Sequence, residues 1–278
     1  DYAAYLSILI QGEPLAREML ERSTRKHGPD SPVALRAKNW LAEAMWAQGQ
    51  FHAAAEMCRA VLDTSLERCG ECHVVRTEGM LILAVALTSL GEDREAADLH
   101  LRRITCLRER HAENPIALLS SLRESLPFLE RAGRATEGES IARELMAALR
   151  SFGGGHDDVL FGCELYLARF ASMQDRIEEA ETMFQSLRPR SEQAGPLTHA
   201  RGRLFYSGQL LRRGRFEDAE EELTNAVELT GDVRTGTHFS HPDDVILGFI
   251  ALYEAWDKAD KAEEYRSLRL EVVGPRTQ

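Results

Sequence analysis

Apolar positions in this chain recur at intervals of three and four, the spacing of one face of an α-helix. In SPVALRAKNWLAEAMWAQ they fall at Val33, Ala37, Leu41, Ala44 and Met45, and in FHAAAEMCRAVLDTSLER at Ala54, Met57, Val61, Leu62 and Leu66. Gly49 separates the two stretches. Ahead of the first, Ser31 and Pro32 supply an N-cap and a proline in the opening turn. The pattern predicts two helices joined by a tight turn.

The same arrangement returns along the whole chain. From Gly49 the turns step to Gly91, Gly133 and Asp175 at intervals of 42, then to Gly214 after 39 and Asp257 after 43. Glycine takes the left-handed conformation that ends a helix, and Asp is among the few tolerated substitutes. Five residues after each turn stand Ala54, Ala96, Gly138, Ala180, Ala219 and Ala262; seven before stand Ala42, Ala84, Leu126, Ala168, Ser207 and Ile250. Small residues in register on both arms predict close approach of two antiparallel helices. Polar connectors recur as well: HGPDSPVAL, CGECHVVR, HAENPIAL, GGGHDDVLF and SHPDDVIL. A period of this length means a repeat architecture. A further turn is expected at Gln11-Gly12, with Ala16 in the small position, so that Asp1 begins inside a repeat of a longer polypeptide. Pro127 is expected to bend its helix, Gly153 to Gly155 to loosen a connector, and residues 230–244 to form a longer, looser one.

These motifs resemble the tetratricopeptide repeat in its long form of about 42 residues, as in kinesin light chains. The match runs through Gly28-Pro29-Asp30-Ser31-Pro32, Leu41-Ala42, Gly49, Phe51 and Ala54-Ala55-Glu56, and again through RGRFEDAEEEL from Arg213 to Leu223. The resemblance implies an all-α fold, a right-handed superhelical solenoid of antiparallel helix pairs. Residues 1–278 would form one array of six full hairpins and a partial N-terminal one. It implies a non-catalytic scaffold that binds a protein or peptide. The closing stretch ALYEAWDKADKAEEYRSL, Ala251 to Leu268, resembles the last repeat of bacterial serine/threonine kinases with such extensions, although Asp257 stands where Gly is usual. That resemblance implies the docking or sensing region of a larger bacterial signalling protein.

Composition narrows the function classes. With 44% hydrophobic and 28% charged residues the chain is of globular type. A net charge of −11 argues against nucleic acid, which demands concentrated Lys and Arg. No run approaches the roughly 20 apolar residues that span a bilayer, and the opening residues lack the features of a signal peptide. Membrane contact is therefore not expected from this segment, and a cytoplasmic location is. Cys58, Cys69, Cys72, Cys106 and Cys163 are too few and too scattered for a disulfide framework, which points to a reducing compartment.

Candidate chemistry is sparse. CGECH, Cys69 to His73, has the C-x-x-C-H form of a haem attachment site, but it is a single copy in a connector slot, and no cofactor is expected. A zinc site built on Cys69, Cys72 and His73 needs Cys58 or His111 as fourth ligand, neither at a standard spacing. A redox-sensitive Cys69/Cys72 pair is the remaining special reading. His27, His73, His111, His156 and His241 lie about a repeat apart, too far to share an ion. No nucleophile, phosphate-loop or metalloprotease signature is present, so an enzyme is not expected.

In a helix-pair solenoid the first helices line the groove. Its candidate contacts are Asn39, Glu43, Trp46, Arg123, Tyr166, Arg169, Arg201 and Arg212, where arginines would hold carboxylates and aromatics would offer flat apolar contact. The alternative is a ligand- or metal-sensing regulator using that groove or the Cys69/Cys72 connector. Self-association through the solenoid ends is a third expectation.

Overall fold

The computed structural model describes residues 2–110, 115–153, 155–193, 195–230 and 244–273. Among them are thirteen α-helices and no strand. They run α1 (Tyr2–His27), α2 (Pro32–Ala47), α3 (Phe51–Cys69), α4 (Val74–Leu90), α5 (Asp93–Glu109), α6 (Pro115–Arg131), α7 (Ala135–Ser151), α8 (Asp157–Met173), α9 (Ile177–Gln193), α10 (Pro196–Arg212), α11 (Phe216–Thr230), α12 (Asp244–Ala255) and α13 (Ala259–Val273). The chain divides into two compact units, residues 1–132 and 133–278. His111, His241 and nearly all of the loose 230–244 connector lie outside the described residues.

Every second helix begins with the same backbone device. The six turn residues have positive φ, from 84° at Gly91 to 59° at Asp175 and 56° at Asp257. The residue after the turn donates its N–H to the carbonyl five positions earlier: Glu92 to Leu87 at 2.9 Å, Arg176 to Ala171 at 3.0 Å, Lys258 to Tyr253 at 2.9 Å. Its own carbonyl then accepts from the small residue four later, as Arg176 does from Ala180 at 3.0 Å. This closure satisfies carbonyls that a helix end leaves open. First helices start differently. Ser31 accepts from Ala34 N–H at 3.3 Å ahead of Pro32, and the His73 Nδ1 accepts from Val75 N–H at 3.3 Å. The histidine of the CGECH motif is thus a helix cap.

Within each unit, helices adjacent in sequence pack together, and alternate contacts join first helices: α2 with α4, α8 with α10, and α10 with α12. Ala54, Ala96, Ala180, Ala219 and Ala262 are all buried to within 1% of complete exclusion. Gly138 shows what a small position accommodates. A Cβ there would stand 2.3 Å from the Phe170 ring of α8, which is itself fully buried.

One expectation fails here. No turn forms at Gln11-Gly12, because α1 continues unbroken to His27 and carries even Pro14. Pro127 lies inside α6, which runs on to Arg131.

His100 on α5 packs its ring 4.0 Å from that of Phe128 on α6, with 1% exposure and neither ring nitrogen hydrogen-bonded. Burial, assisted by the Arg103 charge, pushes the imidazole down to about 3. The native ring stays neutral while the unfolded one protonates below about 6.5, so stability is present above that pH and drains away as pH falls toward 3. Urea unfolding should show His100→Leu escaping about 2 kcal/mol of the parent's loss between pH 7 and pH 5.

Candidate partner-binding surfaces

Of the eight groove residues expected from sequence, Asn39 and Tyr166 are buried. Asn39 is 1% exposed and donates through Nδ2 to the Val75 carbonyl of α4 at 2.8 Å, so it fastens two helices together. Tyr166 is likewise buried, its ring stacked 5.8 Å from Phe170 and set edge-on 5.1 Å from Phe205. Neither reaches solvent as a groove contact must. Trp46 is half-buried, packs against the core cluster that includes Met80 and Leu87, and donates its indole N–H to the Ser89 hydroxyl at 3.0 Å. Glu43 acts on α3: burial first, then its charge, pushes the Cys58 thiol up to about 12. Arg169 lies with its guanidinium 5.9 Å from the Phe205 ring, against Gly208, and Arg201 is half-buried. Only Arg123 and Arg212 are exposed, and Arg212 holds Asp175 of the preceding turn at 2.8 Å.

What unit 1 does present is a stripe one helical step away from those positions. Val33, Arg36 and Trp40, at spacings of three and four on α2, are all exposed, Val33 at 54% and Trp40 at 39%. The Arg36 guanidinium lies 5.5 Å from the centre of the Trp40 ring and bonds the Glu78 carboxylate of α4 at 2.7 Å. Val74, one turn before Glu78, is 41% exposed. An aliphatic residue is left out in the first turn of three successive first helices: Val33, Val74 and Ile116. The Arg36–Glu78 pair holds the indole in place while neutralising itself, so the stripe offers a fixed flat ring flanked by aliphatic groups. Such rigid aromatic anchors carry most of the energy in protein interfaces.

Two solved structures with similar folds are repeat proteins. A Podosopora anserina protein of kinesin light chain nearly identical TPR-like repeats superposes with a TM-score of 0.57 at 18% identity, covering 68% of this chain and 90% of its own. A one-residue variant of it gives 0.57 at 17%, covering 69% and 93%. The fold is the tetratricopeptide-like helical repeat. No protein-family model and no curated protein matches the chain.

The second tetratricopeptide-like unit holds a pocket lined by residues of α8, α9, α10 and α11. Glu222 of α11 is 7% exposed, and each of its oxygens takes a guanidinium: Arg188 from α9 at 3.2 Å and Arg203 from α10 at 2.7 Å. Arg203 Nε also donates to His199 Nε2 at 3.2 Å. Leu165, Phe184 and Leu187 supply an apolar wall. Burial, and then the nearby Glu181, pushes the Tyr206 hydroxyl up, so it stays a donor to that carboxylate at 3.1 Å. The polar groups here are spent on one another, which makes this a fastening between helices.

The cysteines are arranged otherwise than the sequence suggested. Cys72 is bonded to Cys106 of α5, with Cα atoms 4.9 Å apart, and Cys69 is a free, half-buried thiol. A Cys69/Cys72 pair and a Cys72 thiolate for zinc are therefore not formed. Cys58 is fully buried in the core between helices. Among the described residues no three His, Cys, Asp or Glu side chains gather as metal ligands, and no helix is long and apolar enough to cross a membrane.

Proposed function

We propose that this protein is a scaffold that binds an extended peptide segment of a partner protein along the stripe formed by Val33, Arg36 and Trp40 of α2 and Val74 and Glu78 of α4. The observation that carries this is the exposed Trp40, fixed by Arg36 rather than folded into the core. The stripe has no net charge, so the preferred segment carries apolar side chains at alternate positions, with a backbone that the Arg36–Glu78 pair can meet. The tetratricopeptide-like fold supports the general role, since its repeats bind proteins. The kinase-like closing repeat, Ala251 to Leu268, motivates a narrower proposal: that the chain is the docking or sensing region of a larger bacterial signalling protein. Finding a domain of a different class encoded immediately upstream of Asp1 would count against that context, and a kinase domain there would support it.

The test of the surface uses a peptide selected by display on the full chain. Trp40→Ala should weaken its binding at least about tenfold, as for a central aromatic anchor. Arg201→Ala, in the other unit, should leave binding unchanged. Equal affinity for the parent and Trp40→Ala would remove the stripe as the site.

A further inference from the structure

Cys72 sits in the connector between α3 and α4, and Cys106 is three residues short of the end of α5, so their bond pins that connector to the far arm of the next hairpin. The connector is held there by charge as well. Glu71 takes Arg102 of α5 at 2.8 Å and Arg76 of α4 at 3.2 Å, and Arg110 donates to the Cys72 carbonyl at 3.3 Å. Each sulfur also has an acceptor within reach that only a thiol can use. Glu109 Oε2 lies 3.3 Å from Cys72 Sγ, and the Glu71 carbonyl oxygen lies 3.6 Å from Cys106 Sγ. The site therefore provides for both the bonded and the reduced state. The two sulfurs differ in access, since Cys106 is 2% exposed and Cys72 is half-buried.

We propose that Cys72–Cys106 is a reversible thiol–disulfide clasp, opened by dithiols and closed by low-molecular-weight disulfides, that sets the rigidity of the α4–α5 hairpin. The thiolate of a dithiol attacks the accessible Cys72 Sγ, the S–S bond breaks, and Cys106 leaves as a thiolate that takes a proton from solvent. The second sulfur of the reductant then attacks the mixed disulfide and expels Cys72, which is protonated in turn. Two electrons and two protons pass to the protein, and the reductant departs as its cyclic disulfide. Glutathione disulfide runs the exchange in reverse, leaving as two thiols. In the open state the salt bridges of Glu71 still guide the connector, which keeps the two sulfurs close enough to close again.

Trypsin cuts after Arg68, Arg76, Arg103 and Arg108, so the clasp joins CGECHVVR to ITCLR. The full chain equilibrated with glutathione disulfide should yield that cross-linked pair. Dithiothreitol should abolish it, and re-oxidation should restore it. Opening a loop of 34 residues should lower the melting temperature of the protein's first transition by roughly 10 °C. Cys69→Ser should behave as the parent, while Cys72→Ser should melt alike with and without reductant. A Cys69–Cys72 bond within the single peptide CGECHVVR would overturn the proposal. So would the absence of any cross-link under oxidising conditions, a bond that does not re-form after reduction, or a melting temperature indifferent to reductant.

Discussion

Replacing Ala180 by arginine should unfold the α8–α9 hairpin, with a loss of more than about 4 kcal/mol measured by urea denaturation. Ala180 is completely buried, and its N–H is already engaged with the Arg176 carbonyl that starts α9. A seven-atom charged chain has no room there, and a guanidinium forced inside would lose its hydration without a partner built to receive it. Ala219→Arg, in the equivalent place on α11, should behave the same way. The neighbouring Glu179 provides the control. It is exposed and bonds Arg176 at 3.1 Å, so Glu179→Arg should cost no more than about 1 kcal/mol. Parent-like melting of Ala180→Arg would mean that the repeat register is misplaced.

The second large effect is expected from a single methyl group. Gly138→Ala places a Cβ 2.3 Å from the Phe170 ring, well inside contact distance, and the ring is fully buried with nowhere to swing. Overpacking of this kind costs about 1–3 kcal/mol. Phe170→Leu removes the obstruction at the expense of ring contacts, so adding Gly138→Ala to that variant should cost much less than in the parent. The interaction energy of this double-mutant cycle is the readout. Additive costs would show that the glycine is there for some reason other than the ring.

This pair also marks the boundary of what the sequence made legible. The turns were readable because a left-handed residue must end each first helix, and only Gly or Asp meets that demand at the six positions. The small positions were readable as small. Their partner was not: Gly138 meets a ring five residues before the next turn, and nothing local to Gly138 announces that long-range contact. Other repeats place Ala86, Gln209 and Leu252 in that slot, all fully buried, so volume is traded between repeats and no residue type repeats.

The groove assignments went astray for a related reason. First helices are packed on several sides at once; α4 buries residues as varied as Arg76, Thr77, Gly79 and Ser89. The exposed strip that remains is narrow, and a phase error of one residue exchanges Trp40 for Asn39. Asn39 looks available because it is polar, but its amide is consumed by a carbonyl on the neighbouring helix. Arg36 and Trp40 share a face of α2 at a spacing of four, and that face is the exposed one. The Cys72–Cys106 bond was hidden because the CGEC spacing draws attention to Cys69, whereas the hairpin brings a residue 34 positions away to the connector. The turn expected at Gly12 failed because a glycine alone does not stop a helix when the residues around it continue to favour one.

Deuterium exchange of the full chain, with and without a saturating display-selected peptide, tests the central claim most directly. The proposed binding mode predicts slowed exchange in Pro32–Ala47 and Val74–Leu90, the helices that carry Trp40 and Glu78. Slowing confined to α9, α10 and α11, around the Glu222 pocket, would contradict it.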